Sequence, residues 1–133
     1  MTRVVVDANV YISALVFGGM PQTVFQLIEH REMQLYISKP IADEVSGVLA
    51  KKFRWTQQEL DEFLPPLWGR CTRITPAVTV NCCADPDDTR VWACAQAAEA
   101  DFLVTGDDDL LRLKRFGPTR ILLPRAFVEL HKR

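Results

Sequence analysis

Val4-Val5-Val6-Asp7 and Phe102-Leu103-Val104-Thr105-Gly106-Asp107 follow one pattern, an apolar β-forming run that ends on an acid. A strand with no polar residue alternating through it is buried on both faces, as central strands of parallel sheets are. In open parallel sheets, ligands bind beyond the carboxyl ends of the strands, where the strand order reverses. Asp7 and Asp107 stand at such ends. A single Asp there is often only the N-cap of the following helix, but two of them after two buried strands weaken that reading.

Working outward, further strands are predicted at Leu35 to Ile37, Thr72 to Ile74 and Ile121 to Leu123, beside those at Val4 to Val6 and Phe102 to Val104. Helical patterns fill the intervals: Val10 to Phe17, Gln22 to Arg31, Pro40 to Lys52, Gln57 to Trp68, Pro86 to Ala100, Leu110 to Lys114 and Arg125 to Lys132. Strands alternating with helices predict a three-layer α/β/α domain around a central parallel sheet of about five strands. Gly18-Gly19-Met20-Pro21 reads as a loop, and Pro65-Pro66 is expected to end or kink the fourth helix. Neither is a domain linker, so residues 1–133 are expected to form one domain.

The chain has 133 residues, 48% hydrophobic and 25% charged, which fits a globular domain and excludes disordered and fibrous classes. The first apolar run is stopped at once by Asp7, so neither a signal peptide nor a membrane span is expected. Cys71, Cys82, Cys83 and Cys94 lack the CxxC spacing of a zinc site, and adjacent Cys82 and Cys83 could bridge only with strain. They are expected to be reduced thiols in a cytoplasmic protein. A net charge of −1 argues against a strongly basic polyanion binder. If several acids hold metal, however, the remainder is mildly basic and suits a weak, salt-sensitive grip on phosphates.

Other acids invite the same question. Asp85-Pro86-Asp87-Asp88 opens a helix with Pro at its first position, and Asp85 is placed to cap it. Asp88 lies over the first turn, where it either reaches outward or supports the cap. Glu44 sits one turn into a helix whose apolar stripe is Ile41, Val45, Val48 and Leu49; with Asp43 it could be only a solvated first turn. Asp107-Asp108-Asp109 has no base before Arg112, and each adjacent pair of like charges costs on the order of 1 kcal/mol near a surface. A bound cation would remove that cost. Hard cations such as Mg²⁺ or Mn²⁺ take oxygen ligands, and phosphodiester hydrolysis needs such an ion to activate water and stabilise developing charge.

Together, Val4-Val5-Val6-Asp7-Ala8-Asn9-Val10, Ile41-Ala42-Asp43-Glu44-Val45, Asp85-Pro86-Asp87-Asp88-Thr89-Arg90-Val91 and Ala100-Asp101-Phe102-Leu103-Val104-Thr105-Gly106-Asp107-Asp108-Asp109 resemble the four acidic motifs of the PIN-domain nucleases. The chain is most similar to bacterial PIN proteins of toxin–antitoxin modules, akin to VapC-type ribonucleases. The resemblance spans nearly the whole chain and implies sheet order 3-2-1-4-5, which sets Asp7 and Asp107 side by side. It further implies catalytic acids Asp7, Glu44, Asp88 and Asp107, with Mg²⁺ or Mn²⁺ held by Asp7, Asp88 and Asp107. Asn9 and Thr105 would orient ligands or waters around the ion, Asp109 would be an additional contributor, and Asp85 would keep its capping role. The implied activity is metal-dependent endoribonuclease, as the toxin of a module, with an RNA substrate, an antitoxin protein and a homodimeric state.

Two other readings compete. A catalytically silent PIN-like module would bind nucleic acid or protein without a metal. An aspartyl-phosphate phosphotransfer enzyme of the haloacid dehalogenase type also places an Asp after its first strand, but its second acid would fall on Asn9 and its later one on Leu111. His30, in the last turn of a helix, and His131, in the tail, are expected to be structural or solvated. Trp55, Trp68 and Trp92 are expected in the core or at an interface.

Overall fold

Three valines with no exposed surface, Val4, Val5 and Val6, form most of β1 (Arg3–Val6). Successive side chains on a strand point to opposite faces, so complete burial of all three means that the sheet is covered on both sides. In the computed structural model, which describes residues 1–76 and 86–132, β1 lies between β2 (Gln34–Ile37) and β4 (Phe102–Val104), parallel to both. Val4 stands opposite Leu35 on one side and Phe102 on the other. β3 (Thr72–Arg73) extends the sheet beyond β2, and β6 (Thr119–Leu122) lies parallel to β4. The resulting order, β3-β2-β1-β4-β6, is the expected five-strand order. A sixth, two-residue strand, β5 (Arg115–Phe116), was not foreseen; it pairs antiparallel on the outer edge of β6 through a turn in which Gly117 takes φ +58°.

Helices α1 (Ala8–Val16) and α2 (Gly19–His30) connect β1 to β2, and α3 (Lys39–Lys52) and α4 (Gln57–Trp68) connect β2 to β3. α5 (Pro86–Ala97) precedes β4, α6 (Asp108–Leu113) follows it, and α7 (Pro124–Leu130) closes the described chain. Tyr11 of α1 is fully buried, its ring against Phe25 and Trp68 at 4.7 and 5.5 Å between centroids. Trp92 is buried, and Trp55 and Trp68 pack against the core, as expected of them. His131 likewise packs its ring on Phe127 and Phe102. Among the described residues no single helix is long and apolar enough to cross a membrane.

Several boundaries depart from the sequence reading. Of the loop expected at 18–21 only Gly18, at positive φ, lies outside the helices; Gly19, Met20 and Pro21 belong to α2, where the missing Pro N–H falls in a first turn that has no use for it. α4 runs through Pro65-Pro66 to Trp68. Its last turn is closed by Gly69 N–H donating to Pro65 O (2.9 Å), while buried Leu64 anchors the helix to the core. α5 stops at Ala97 because Glu99 adopts φ +51°, and Ala100 N–H closes back onto Ala95 O at 3.0 Å. α1 begins at Ala8 and α6 at Asp108, each directly after one of the two strand-end acids.

Candidate acidic site at the sheet switch point

Between β1 and β4 the chain changes its direction of travel across the sheet, so the carboxyl ends of these strands form the crevice in which such folds bind ligands. Asp7 and Thr105 follow the two strands there. Asp7 N–H donates to Val104 O at 2.9 Å, and Thr105 N–H donates to Leu122 O at 3.0 Å, so both backbones are fixed by the sheet ladder. The Thr105 hydroxyl, fully buried, donates to Asp7 Oδ2 at 2.7 Å and accepts from Asp107 N–H at 3.0 Å. One hydroxyl thereby ties the acid of β1 to the loop that carries the acid of β4.

Asp7 is 5% exposed. Burial pushes its carboxyl above the usual carboxylate range; the Thr105 hydrogen bond and the Asn9 amide oppose that, and the Asp107 charge adds to it. Asp7 occupies the N-cap of α1, where its carboxylate completes no full capping hydrogen bond, although the Ala8 and Asn9 backbone amides that open the helix face it and favour its charged form.

Asp107 does cap its helix. Its Oδ1 accepts from Asp109 N–H at 2.8 Å and from Leu110 N–H at 3.2 Å. The capping explanation considered for strand-end acids thus holds for Asp107, while its charge still bears on Asp7. Asp109 is exposed and paired with Arg112 at 2.9 Å. Asn9 is exposed at the start of α1.

Glu44 is half-buried on α3 and lines an open depression of about 450 Å³ with Pro40, Asp43 and Arg90. Asp43, on the same depression, forms an exposed ion pair with Lys39 at 2.7 Å. Asp85 and the side chain of Asp88 lie outside the described residues, as do Cys82 and Cys83. Of the described cysteines, Cys71 and Cys94 are free thiols.

Two residues near these acids escaped the sequence reading. Arg90 brings a base into the Glu44 depression; the signal was present, since it stands two positions after Asp88 in the third acidic motif. Ser38 follows β2, fully buried beside the Cys94 thiol, and only its place between a strand and a Pro-initiated helix marked it.

Among the described residues no three of His, Cys, Asp and Glu gather closely enough to hold a metal ion. The described donors nevertheless suit a hard cation. Asp7 is an oxygen donor buried at an energetic cost that a positive charge would relieve, and Asp107 contributes a second negative charge beside it.

A mostly parallel α/β sheet with two acids after the strands at its switch point places those acids where such folds bind ligands. Residues 3–109 match the PIN domain, and the chain belongs to that family, a family of nucleases generally dependent on metal. An uncharacterized protein of Methanocaldococcus jannaschii is 29% identical over 117 residues, covering 84% of this chain and 75% of the relative.

Proposed function

We propose that this chain is a metal-dependent endoribonuclease that hydrolyses RNA phosphodiester bonds, acting as the toxin of a toxin–antitoxin module in the cytoplasm. The observation that carries the reading is the buried Asp7 carboxylate at the sheet switch point, held by the Thr105 hydroxyl and acted on by the charge of Asp107. Asp7 and Asp107, with Asp88, are the residues that would hold Mg²⁺ or Mn²⁺. When bound, the ion supplies charge neutralisation at the phosphate and an activated water as nucleophile, which leaves the product with a 5′-phosphate.

The protein's own part is positional. Thr105 holds Asp7 in one orientation, and the cap on α6 fixes Asp107 relative to the sheet. Glu44 and Arg90 place an acid and a base on an open depression, which under this reading receives the phosphodiester. Single-stranded RNA incubated with Mn²⁺ should yield 5′-phosphate ends, and none with chelator; 2′,3′-cyclic phosphate products would overturn the mechanism. The toxin assignment adds a homodimer and an antitoxin segment that covers the acidic pocket. Expression of the chain alone should slow growth and Asp7→Asn should abolish the effect, whereas equal toxicity of both would remove catalysis as its cause.

A further inference from the structure

On the edge of the sheet formed by β5, Trp92 of α5 and Phe116 lie with ring centroids 4.0 Å apart, tilted by 50°, at a cavity of about 280 Å³ that Gln96, Pro118 and Thr119 also line. We infer that this groove holds an unpaired base of the RNA strand cut at the acidic site, an inference that rests on the ribonuclease reading. Three observations converge on it. Trp92 is 2% exposed, yet its Nε1–H has no acceptor, although buried indole donors ordinarily find one. A base presents carbonyl or ring-nitrogen acceptors on its edge and a flat face for stacking. Phe116 is 41% exposed, an aromatic surface left open against the Trp92 ring.

The third observation is charge. From Leu110 to Val128 the chain has five bases, Arg112, Lys114, Arg115, Arg120 and Arg125, and no acid. Arg112 is engaged with Asp109 and Arg120 lies over the Phe102 ring, but Lys114 and Arg115 are exposed immediately before Phe116. A nucleotide brings a phosphate one backbone step from its base, so ring and cation are met together. Glu99 lines the cavity as well, and a strand would keep its phosphates on the Lys114 side. Under the proposed metal assignment of Asp88, α5 would link the two places, since Trp92 is four residues after Asp88, about 6 Å along the helix axis. The hairpin lies beyond residues 3–109, outside the part matched to the PIN domain.

The test uses the full chain and a 12-nucleotide single-stranded RNA, with binding read by fluorescence anisotropy in chelator and cleavage read in Mn²⁺. Phe116→Ala, at an exposed position, should raise Kd about tenfold. It should raise KM by the same factor with kcat unchanged, and leave cleavage of a trinucleotide as in the wild type. Trp92→Phe keeps a ring and removes the donor, and should raise Kd about threefold. Equal Kd for wild type and both variants, or no measurable binding by wild type, overturns the groove. A change in light-scattering mass for Phe116→Ala at unchanged Kd also overturns it, by making the groove a contact between copies. Wild type that binds with the expected Kd differences but never cleaves leaves the groove standing and removes the nuclease reading. Cleavage without those differences removes the groove alone.

Discussion

Replacing Asp107 by Asn and, separately, by Ala divides two tasks that one side chain performs. Its Oδ1 caps α6 through the amides of Asp109 and Leu110, and its charge works against the buried Asp7. Asn caps about as well as Asp, so Asp107→Asn keeps the two hydrogen bonds and loses the charge. Relief of repulsion near a surface is on the order of 1 kcal/mol, and the loss of a negative charge at a helix start costs about 0.3 to 1 kcal/mol. The two nearly cancel, and the variant should melt within about 2 °C of wild type in chelator. Asp107→Ala forfeits the cap, about 1 kcal/mol, which for a domain of this size lowers the melting temperature by roughly 3 to 5 °C. With Mn²⁺ the order changes. Wild type should gain stability with ion concentration through preferential binding to the folded form, and both variants should gain much less. Cleavage should be lost in both. Differential scanning fluorimetry in chelator and across a Mn²⁺ series measures all of this. If Asp107→Asn falls as far as Asp107→Ala in chelator, or if Mn²⁺ raises all three proteins alike, then Asp107 is a structural cap and no part of an ion site.

Thr105→Val removes the hydroxyl that Asp7 and the Asp107 amide share, so chemical denaturation should show a loss of about 1 to 3 kcal/mol and cleavage should drop, while Thr105→Ser should restore most of both; an active, stable Val variant would refute the bridge. Burial raises the Cys71 and Cys94 thiols from 9.0 to about 11, so both hold their protons more tightly folded than unfolded. Their contribution to stability is complete below about pH 9 and is lost as pH rises from 9 through 11, by roughly 1 kcal/mol or more per pH unit, with buried Tyr11 adding to the loss at the upper end. Urea midpoints at pH 8, 9.5 and 10.5 should fall accordingly, and a Cys71→Ala, Cys94→Ala double variant should flatten the decline; an unchanged decline would assign it elsewhere. Cleavage should also weaken steeply with added salt, since phosphate contacts rest on modest basic patches such as Lys51, Lys52 and Arg54, and rates independent of ionic strength would remove those patches from the binding surface.

The sheet could be read from the sequence because burial on both faces leaves a signature in strand composition, and Val4 to Val6 and Phe102 to Val104 carry it fully. β5 carries none. Two residues, Arg115 and Phe116, are polar and apolar in turn at an exposed edge, and what makes them a strand is the Gly117 turn that folds them onto β6. Helix ends were misjudged where backbone conformation decided the matter: a Glu in the left-handed region ends α5, which composition alone does not disclose. The site follows the same division. That Asp7 and Asp107 adjoin is a consequence of strand order, and strand order follows from connections that the sequence reveals. That Thr105 bridges them depends on a rotamer and on 2.7 Å of separation, which no pattern encodes. The capping and ligand explanations, weighed as rivals for every strand-end acid, separate only in three dimensions. Asp107 satisfies the cap with one oxygen while its charge still reaches Asp7, whereas Asp7 is buried and takes its geometrically complete hydrogen bond from Thr105. A carboxylate has two oxygens, so a single acid can start a helix and face a neighbouring acid at once. The strand-end acid whose burial makes its charge costly is therefore the more diagnostic of the two.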